Sequence, residues 1–171
     1  AVFGNPREVP ITEEHPKDPI NPYGEGKSMV ERVMRDAAMA YNLRYVSLRY
    51  FNAAGASPDG SMGEDHRNTT HLIPLALKAI LGEEAGGGTL RIFGDDYDTP
   101  DGTCIRDYIH VRDLAEAHVL ALHHLKGLTG ALMLNLGSGS GNSVLEIIQT
   151  CQQVTGREIP YLVAPRRTGD P

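Results

Sequence analysis

The sequence predicts an α/β protein in which helices cover a sheet. Three observations carry this expectation. Segments with apolar residues at helical spacing alternate along the chain with short runs rich in β-branched and aromatic residues. Those runs break at clusters of Gly, Asn and Ser, as strand ends do. Helix-start signals stand where the helical pattern begins, with Pro22 opening one pattern and Ser143 three residues before Glu146 opening another.

The first segment, "INPYGEGKSMVERVMRDAAMAY" at 20–41, reads as a long helix with Pro22 in its first turn. Val30, Val33, Met34, Ala37, Ala38 and Tyr41 recur at the spacing of a core-facing stripe. "LRYVSLRYFNAAG" predicts a strand over about 44–50 that breaks at 52–55. "HLIPLALKAIL" predicts a helix over about 72–81, with Pro74 tolerable only in its first turn. "GEEAGGGT", around 86–88, is a surface loop by composition, and "TLRIFG" after it is a short strand. "CIRDYIHVRDLAEAHVLALHHL" passes from a strand near 105–109 into a helix with Leu114, Ala115, His118, Ala121, Leu122 and Leu125 on one side. "ALMLNLGSGSGNSVLEIIQTCQQVTG" supplies a strand, a Gly-rich turn, a capping-box pattern from Ser143 to Glu146 and an amphipathic helix.

A chain of 171 residues, 40% of them hydrophobic, can bury a core and reads as one domain or one and a part. A net charge of −6 without a Lys/Arg block argues against nucleic acid and anionic membrane as partners. No apolar run approaches the roughly 20 residues of a membrane span. "AVFGNPREVP" has neither the basic flank nor the apolar stretch of a signal peptide, so a cytoplasmic protein is expected. Cys104 and Cys151 lie far apart and read as ordinary thiols, neither a disulfide nor part of a metal site. "AVFG" looks like the tail of a strand entering a loop, which makes a fragment of a longer protein the expectation.

Chemistry is concentrated first at Tyr23 and Lys27. Four residues is about one helical turn, so the phenol and the ammonium project to one side and can act on one ligand. Such a pair can simply pack a ring on an aliphatic stem. Alternatively, the ammonium stabilises the phenolate, and the phenol exchanges a proton with a sugar hydroxyl. The spacing resembles the signature of the short-chain dehydrogenase/reductases, where the Tyr is the acid/base and the Lys also holds the nicotinamide ribose. "LRYFNAAGA", "GEDHRNTTHLIP", "IFGDDYDTPDGTCIRDYIHVRDLAEAH", "NLGSGSGNSVLEII" and "APRRTGDP" then follow in an order that resembles the UDP-glucose 4-epimerases over essentially the whole chain. Residues 93–110 are the most diagnostic, because related sugar-nucleotide dehydratases and decarboxylases keep the Tyr/Lys pair and differ there.

The resemblance implies the C-terminal part of a Rossmann-type doubly wound parallel sheet plus a smaller α/β substrate-binding domain. Residues 1–60 would be the late part of the NAD-binding domain, and 61–171 mainly the UDP-sugar domain, with segments returning to the first sheet. It implies NAD as cofactor, UDP-glucose and UDP-galactose as substrates, and a homodimer for the full-length protein. The implied reaction oxidises C4 to a 4-keto sugar and re-reduces it on the other face, with Tyr23 and Lys27 catalytic and also touching NAD. Tyr50 and Phe51 would lie by the nicotinamide, and Asn52 would reach the substrate. Arg91 and Phe93 match the strand that meets the uracil, Phe93 giving the apolar contact. Arg106 and Arg167 look like the diphosphate ligands, as planar donor forks suit phosphate. Arg166 reads instead as a surface or salt-bridge residue. Asp170 matches the ribose-hydroxyl acceptor. His71 and Leu72 fall where family members often place Asn-Leu at a helix start, a departure that keeps a side chain able to donate to phosphate there.

Other features take structural readings. Gly137, Gly139 and Gly141 do not have the G-x-G-x-x-G spacing of a dinucleotide loop, which in the family lies far upstream of Tyr23. His110 reads as structural, and His123/His124 as a solvated helix end. By the same resemblance the phosphate loop and a catalytic Ser/Thr precede Ala1, so the segment alone is expected to be inactive. The 4,6-dehydratases place an acid where Ala1 stands, and alanine cannot protonate a leaving hydroxyl, which disfavours elimination. The rival readings are a 4-epimerase of UDP-N-acetylhexosamines or UDP-pentoses, and a non-catalytic sugar-nucleotide-binding remnant.

Overall fold

Asn21 begins the first helix by accepting the Gly24 amide on its side chain (2.8 Å). Proline occupies the first turn, and helix α1 (Pro22–Tyr41) ends at Asn42 in the left-handed region, φ 52°. The computed structural model describes residues 1–65, 68–82 and 88–169. After α1 come strand β1 (Tyr45–Tyr50), β2 (Asn52–Ala54), helix α2 (Leu72–Leu81), β3 (Leu90–Phe93) and β4 (Ile105–His110). Helix α3 (Val111–His124), β5 (Ala131–Leu136), β6 (Gly141–Ser143), helix α4 (Val144–Thr155) and β7 (Tyr161–Ala164) complete the order.

The strands form three small sheets, β1-β5, β2-β4-β6 and β3-β7. All pairings are parallel except β4 with β6. The first two sheets meet at Phe51. Tyr50 still pairs with Leu136, and the Phe51 amide donates to the Leu136 carbonyl (3.0 Å). One residue later Asn52 pairs with Tyr108 on β4. The expected break at 52–55 is therefore a change of partner, and β2 forms because β4 offers it a ladder. That non-local partner leaves no local trace in the sequence.

Alternate residues of β1 face opposite helices, as the two-residue period of a strand requires. Arg49 reaches Glu31 on α1, whereas Val46 and Leu48 line an open cavity of about 240 Å³ with His118, Ala121, Leu122 and Leu125 of α3. Helices thus lie on both faces of the β1-β5 pair, in the manner of a doubly wound Rossmann-like sheet. The main core lies elsewhere. Ala76 and Ala79 of α2, Leu90 and Ile92 of β3, Ile148 of α4 and Ile159 are all buried, with Leu72, Leu75 and Val144 packed against them. Each large side chain buried there stabilises the fold by roughly 1.5–3 kcal/mol. In β3 the alternation is clean, with Leu90 and Ile92 inward and Arg91 and Phe93 on the other face.

Two helical faces differ from expectation. On α1, Met34, Ala37 and Ala38 are half-buried, but Val30, Val33 and Tyr41 are exposed, and the residues fully buried are Gly24 and Glu31. The helix is drawn to β1 by charge: Glu31 accepts from Arg49 (2.6 and 3.0 Å) and pairs with Lys17. On α3, Leu114, Ala121 and Leu125 are half-buried, while Ala115 and Leu122 are exposed. The capping box at Ser143 and Glu146 forms as the sequence predicts. The 86–88 loop lies outside the described residues except for Gly88.

Candidate active site

Tyr23 is the second residue of α1, 67% exposed, with the Lys27 ammonium 5.3 Å from its ring centroid. The helix start is pressed close to the chain's first residues: a Cβ on Gly24 would lie 2.6 Å from the Ala1 carbonyl oxygen. Only glycine fits there, and Tyr23 beside it is left facing outward.

Asn21 does more than cap this helix. Its Nδ2 donates to the carbonyl of Gly169 (3.0 Å), so the segment that follows Arg166 and Arg167 returns to the base of the Tyr23 helix. The Arg167 guanidinium lies over the Phe93 ring at 4.3 Å, which joins two of the residues singled out in the sequence. Arg91 is exposed on the same face of β3 as Phe93. Arg166 points elsewhere, onto the Tyr97 ring (3.9 Å) and to the Asp96 carboxylate (Nε to Oδ1, 2.7 Å), which is the salt-bridge role expected of it. Its guanidinium, by donating to Asp96, holds that carboxyl below the usual range.

Arg106 stands on β4 and donates to its neighbour's carbonyl, that of Ile105 (3.0 Å). Asn52 donates through Nδ2 to the Asp107 carbonyl (2.8 Å), and Phe51 is half-buried against Gly137.

The structure does not gather every candidate. The ring partner of Tyr50 is His118 on α3 (centroids 6.4 Å apart), on the face of β1 away from α1. His71 is the N-cap residue of α2 without a side-chain capping bond, and its Nδ1 lies 2.9 Å from the Glu64 carboxylate. Leu72 packs on the main core. Asp170 lies outside the described residues. His110 caps α3, its Nδ1 accepting the Arg112 amide (3.1 Å), and His123 and His124 are exposed in the last turn of that helix. Both cysteines are half-buried and outside any disulfide, and burial pushes the Cys151 thiol up, away from thiolate chemistry.

Three contributors escape a linear reading. Asp107 binds the Gly-rich turn, accepting from the Ser138 amide and hydroxyl (both 2.8 Å) and the Gly139 amide (3.0 Å). The turn's donors are thus met by a carboxylate of the chain itself and are not open to a dinucleotide phosphate. Asp101 accepts from Thr103 and from the Ser143 hydroxyl, fixing the loop before β4 to the start of α4. Those hydrogen bonds outweigh desolvation and hold the Asp101 carboxyl below its ordinary value. Asn21 was the most accessible of the three, since Asn directly before Pro is a cap signal in its own right.

Residues 1–137 match the NAD dependent epimerase/dehydratase family. The chain is 53% identical over its whole length to a UDP-glucose 4-epimerase of Lactobacillus helveticus, covering 51% of that protein. Among solved structures, UDP-glucose 4-epimerase of Brucella ovis in complex with NAD superposes with a TM-score of 0.92 at 54% identity, over 99% of this chain and 51% of that one. The enzyme of Bifidobacterium longum in complex with NAD+ and UDP gives 0.93 at 45% identity, over 99% and 50%. The chain therefore spans about half the length of the relatives it matches. No helix among the described residues is long and apolar enough to cross a membrane.

Proposed function

The chain belongs to the NAD dependent epimerase/dehydratase family, and from that membership we propose that the whole protein interconverts UDP-glucose and UDP-galactose. The observation that carries this reading is the outward-facing Tyr23/Lys27 pair at a helix start to which Asn21 ties the Arg167 segment. Residues 1–60 are the late part of the NAD-binding domain and 61–171 mainly the UDP-sugar domain, with β5 returning to pair with β1. The protein acts in the cytoplasm as a homodimer.

Tyr23 takes the proton of the sugar 4-hydroxyl and later returns it. Lys27 stabilises the phenolate between those transfers and holds the nicotinamide ribose. Its ammonium and the phenol share one open face, which fits the ribose end of NAD. When bound, NAD supplies the acceptor and donor for the C4 hydride, so net redox change is zero. Tyr50 and Phe51 lie at the nicotinamide end. Arg106 and Arg167 hold the diphosphate, Arg91 and Phe93 meet the uracil, Asp170 accepts from the ribose, and Asn52 reaches the sugar, with His71 and Leu72 at a further substrate contact. Anchored by its diphosphate, the keto sugar can present either face of C4. Conversion of UDP-galactose to UDP-glucose by the whole protein tests the reading, and a purified protein with bound NAD and no conversion would overturn it.

The nucleotide anchor makes a separate prediction. The diphosphate is unchanged through the reaction, so Arg106 and Arg167 contribute uniform binding. Losing one charge-assisted partner costs roughly 1.5–3 kcal/mol. Arg106→Ala is thus expected to raise KM and the Kd for UDP by about one to two powers of ten, with a smaller loss of kcat. A UDP titration checks this, and unchanged affinity would make Arg106 structural.

A further inference from the structure

We propose that Asp107 is a positioning residue that fixes the sugar-facing Phe51–Asn52 turn, a role that rests on the epimerase reading of the site. The chain changes sheets at Phe51, where the ends of β1, β2, β4 and β5 converge. A crossover of this kind has few ladder bonds of its own. Asp107 secures it from two sides. Through its carbonyl it accepts Asn52 Nδ2 (2.8 Å), which orients the Asn52 amide and leaves Asn52 Oδ1 for another partner. Through its carboxylate it holds the turn after β5, Oδ1 accepting the Ser138 amide and hydroxyl (2.8 Å each) and Oδ2 the Gly139 amide (3.0 Å).

That turn is in contact with the residue before Asn52. A Cβ on Gly137 would lie 2.4 Å from Asp107 Oδ2 and 2.8 Å from Phe51 Cδ2, so carboxylate, glycine and phenyl ring are packed without slack. The chemistry requires an ionised acid. Three donors converge on two oxygens, and a carboxylate accepts at both, with charge-assisted bonds about twice as strong as neutral ones. An amide presents one oxygen and one NH2 group, and so must turn a donor against either Ser138 or Gly139. The turn then shifts, and Phe51 and Asn52 shift with it. Neighbouring Arg106 has its ladder partner on β6, opposite Asn142, and not on the Phe51–Asn52 turn. The expected consequence is selective: the sugar is misaligned toward Tyr23 while the nucleotide is still gripped.

The test uses the whole protein, with UDP-galactose turnover normalised to sites counted by UDP titration. Asp107→Asn is expected to lower kcat per site by about tenfold to a hundredfold, the scale of a misplacement near 1 Å, with the UDP Kd unchanged within about twofold. Asn52→Ala supplies the coupling readout. If Asp107 acts through Asn52, adding Asp107→Asn to Asn52→Ala costs little more than Asn52→Ala alone, which a general loss of fold would not reproduce. Should Asp107→Asn bind no UDP, Ser138→Ala removes one donor from the same carboxylate and is read the same way, with a lower kcat and an unchanged Kd expected. An active wild type with unchanged kcat in the variant, or independent multiplying losses in the double variant, overturns this role alone. A wild type that binds UDP and NAD but does not convert UDP-galactose overturns the epimerase reading and this role with it.

Discussion

Replacing Tyr23 with phenylalanine in the whole protein is expected to lower turnover by ~100-fold or more while leaving UDP affinity nearly unchanged. The substitution removes one oxygen from a side chain that is 67% exposed and contributes little to packing. What it removes chemically is the phenolic group proposed to take and return a hydroxyl proton, beside the Lys27 ammonium 5.3 Å from the ring centroid. The ring itself remains, so the stacking of Lys27 and the shape of the helix start persist. Loss of kcat without loss of nucleotide binding is the signature of an interaction made in the transition state. Steady-state turnover and a UDP titration on one preparation give both numbers. A variant keeping more than about a tenth of the wild-type rate would end the case for proton transfer by this phenol.

The elements of this fold were legible where local chemistry dictates them. The boundaries of α2 and the box at Ser143 and Glu146 follow from residues within one or two turns, and both form as read. β7 was not anticipated: Tyr161–Ala164 is a four-residue run whose identity depends on the edge of β3, just over seventy positions earlier. β2 escaped for the same reason, since Asn52–Ala54 is a strand only because β4 lies beside it. The face of α1 was misread because periodicity counts apolar residues, whereas the buried contact is an acid with two cations, Glu31 with Arg49 and Lys17.

The site shows the same division. Tyr23 and Lys27 are neighbours by helical geometry and need no tertiary knowledge. The Arg167–Phe93 contact and the Asn21–Gly169 bond join segments more than seventy residues apart, and nothing in local spacing announces them. Asp107 is the clearest case. Nothing beside it in the sequence marks its partners, because in the folded chain its three donors come from a turn about thirty residues later.

Glu31→Gln is expected to destabilise the whole protein by about 3–5 kcal/mol, because it leaves the Arg49 charge buried without its anion. The side chains of Glu31 and Arg49 are each 8% exposed, and Lys17 is 33% exposed. Arg49 is also enclosed by the Phe3 ring (5.3 Å), the Glu13 carbonyl (3.4 Å) and the Met133 sulfur (3.2 Å), none of which carries a compensating charge. Lys17 can turn to water, but Arg49 cannot. Burial alone would raise the Glu31 carboxyl, but hydrogen bonds and charge from Arg49 and Lys17 outweigh it and hold the group below its ordinary value. Its folded value lying under its unfolded one, Glu31 contributes stability that is fully present above the unfolded value of about 4.3 and is lost as pH falls through the folded value. Glu31→Gln therefore removes stability at neutral pH and flattens the acid limb of the unfolding curve. Glu31→Met with Arg49→Met removes acid and cation together and should recover much of the loss, since exchanging a buried pair for apolar side chains is often nearly neutral. Urea unfolding at pH 7 and across pH 3–5 measures both effects. A change within about 1 kcal/mol for Glu31→Gln would place the pair among ordinary surface bridges, and α1 would then need another explanation for how it carries Tyr23 at a fixed angle to β1.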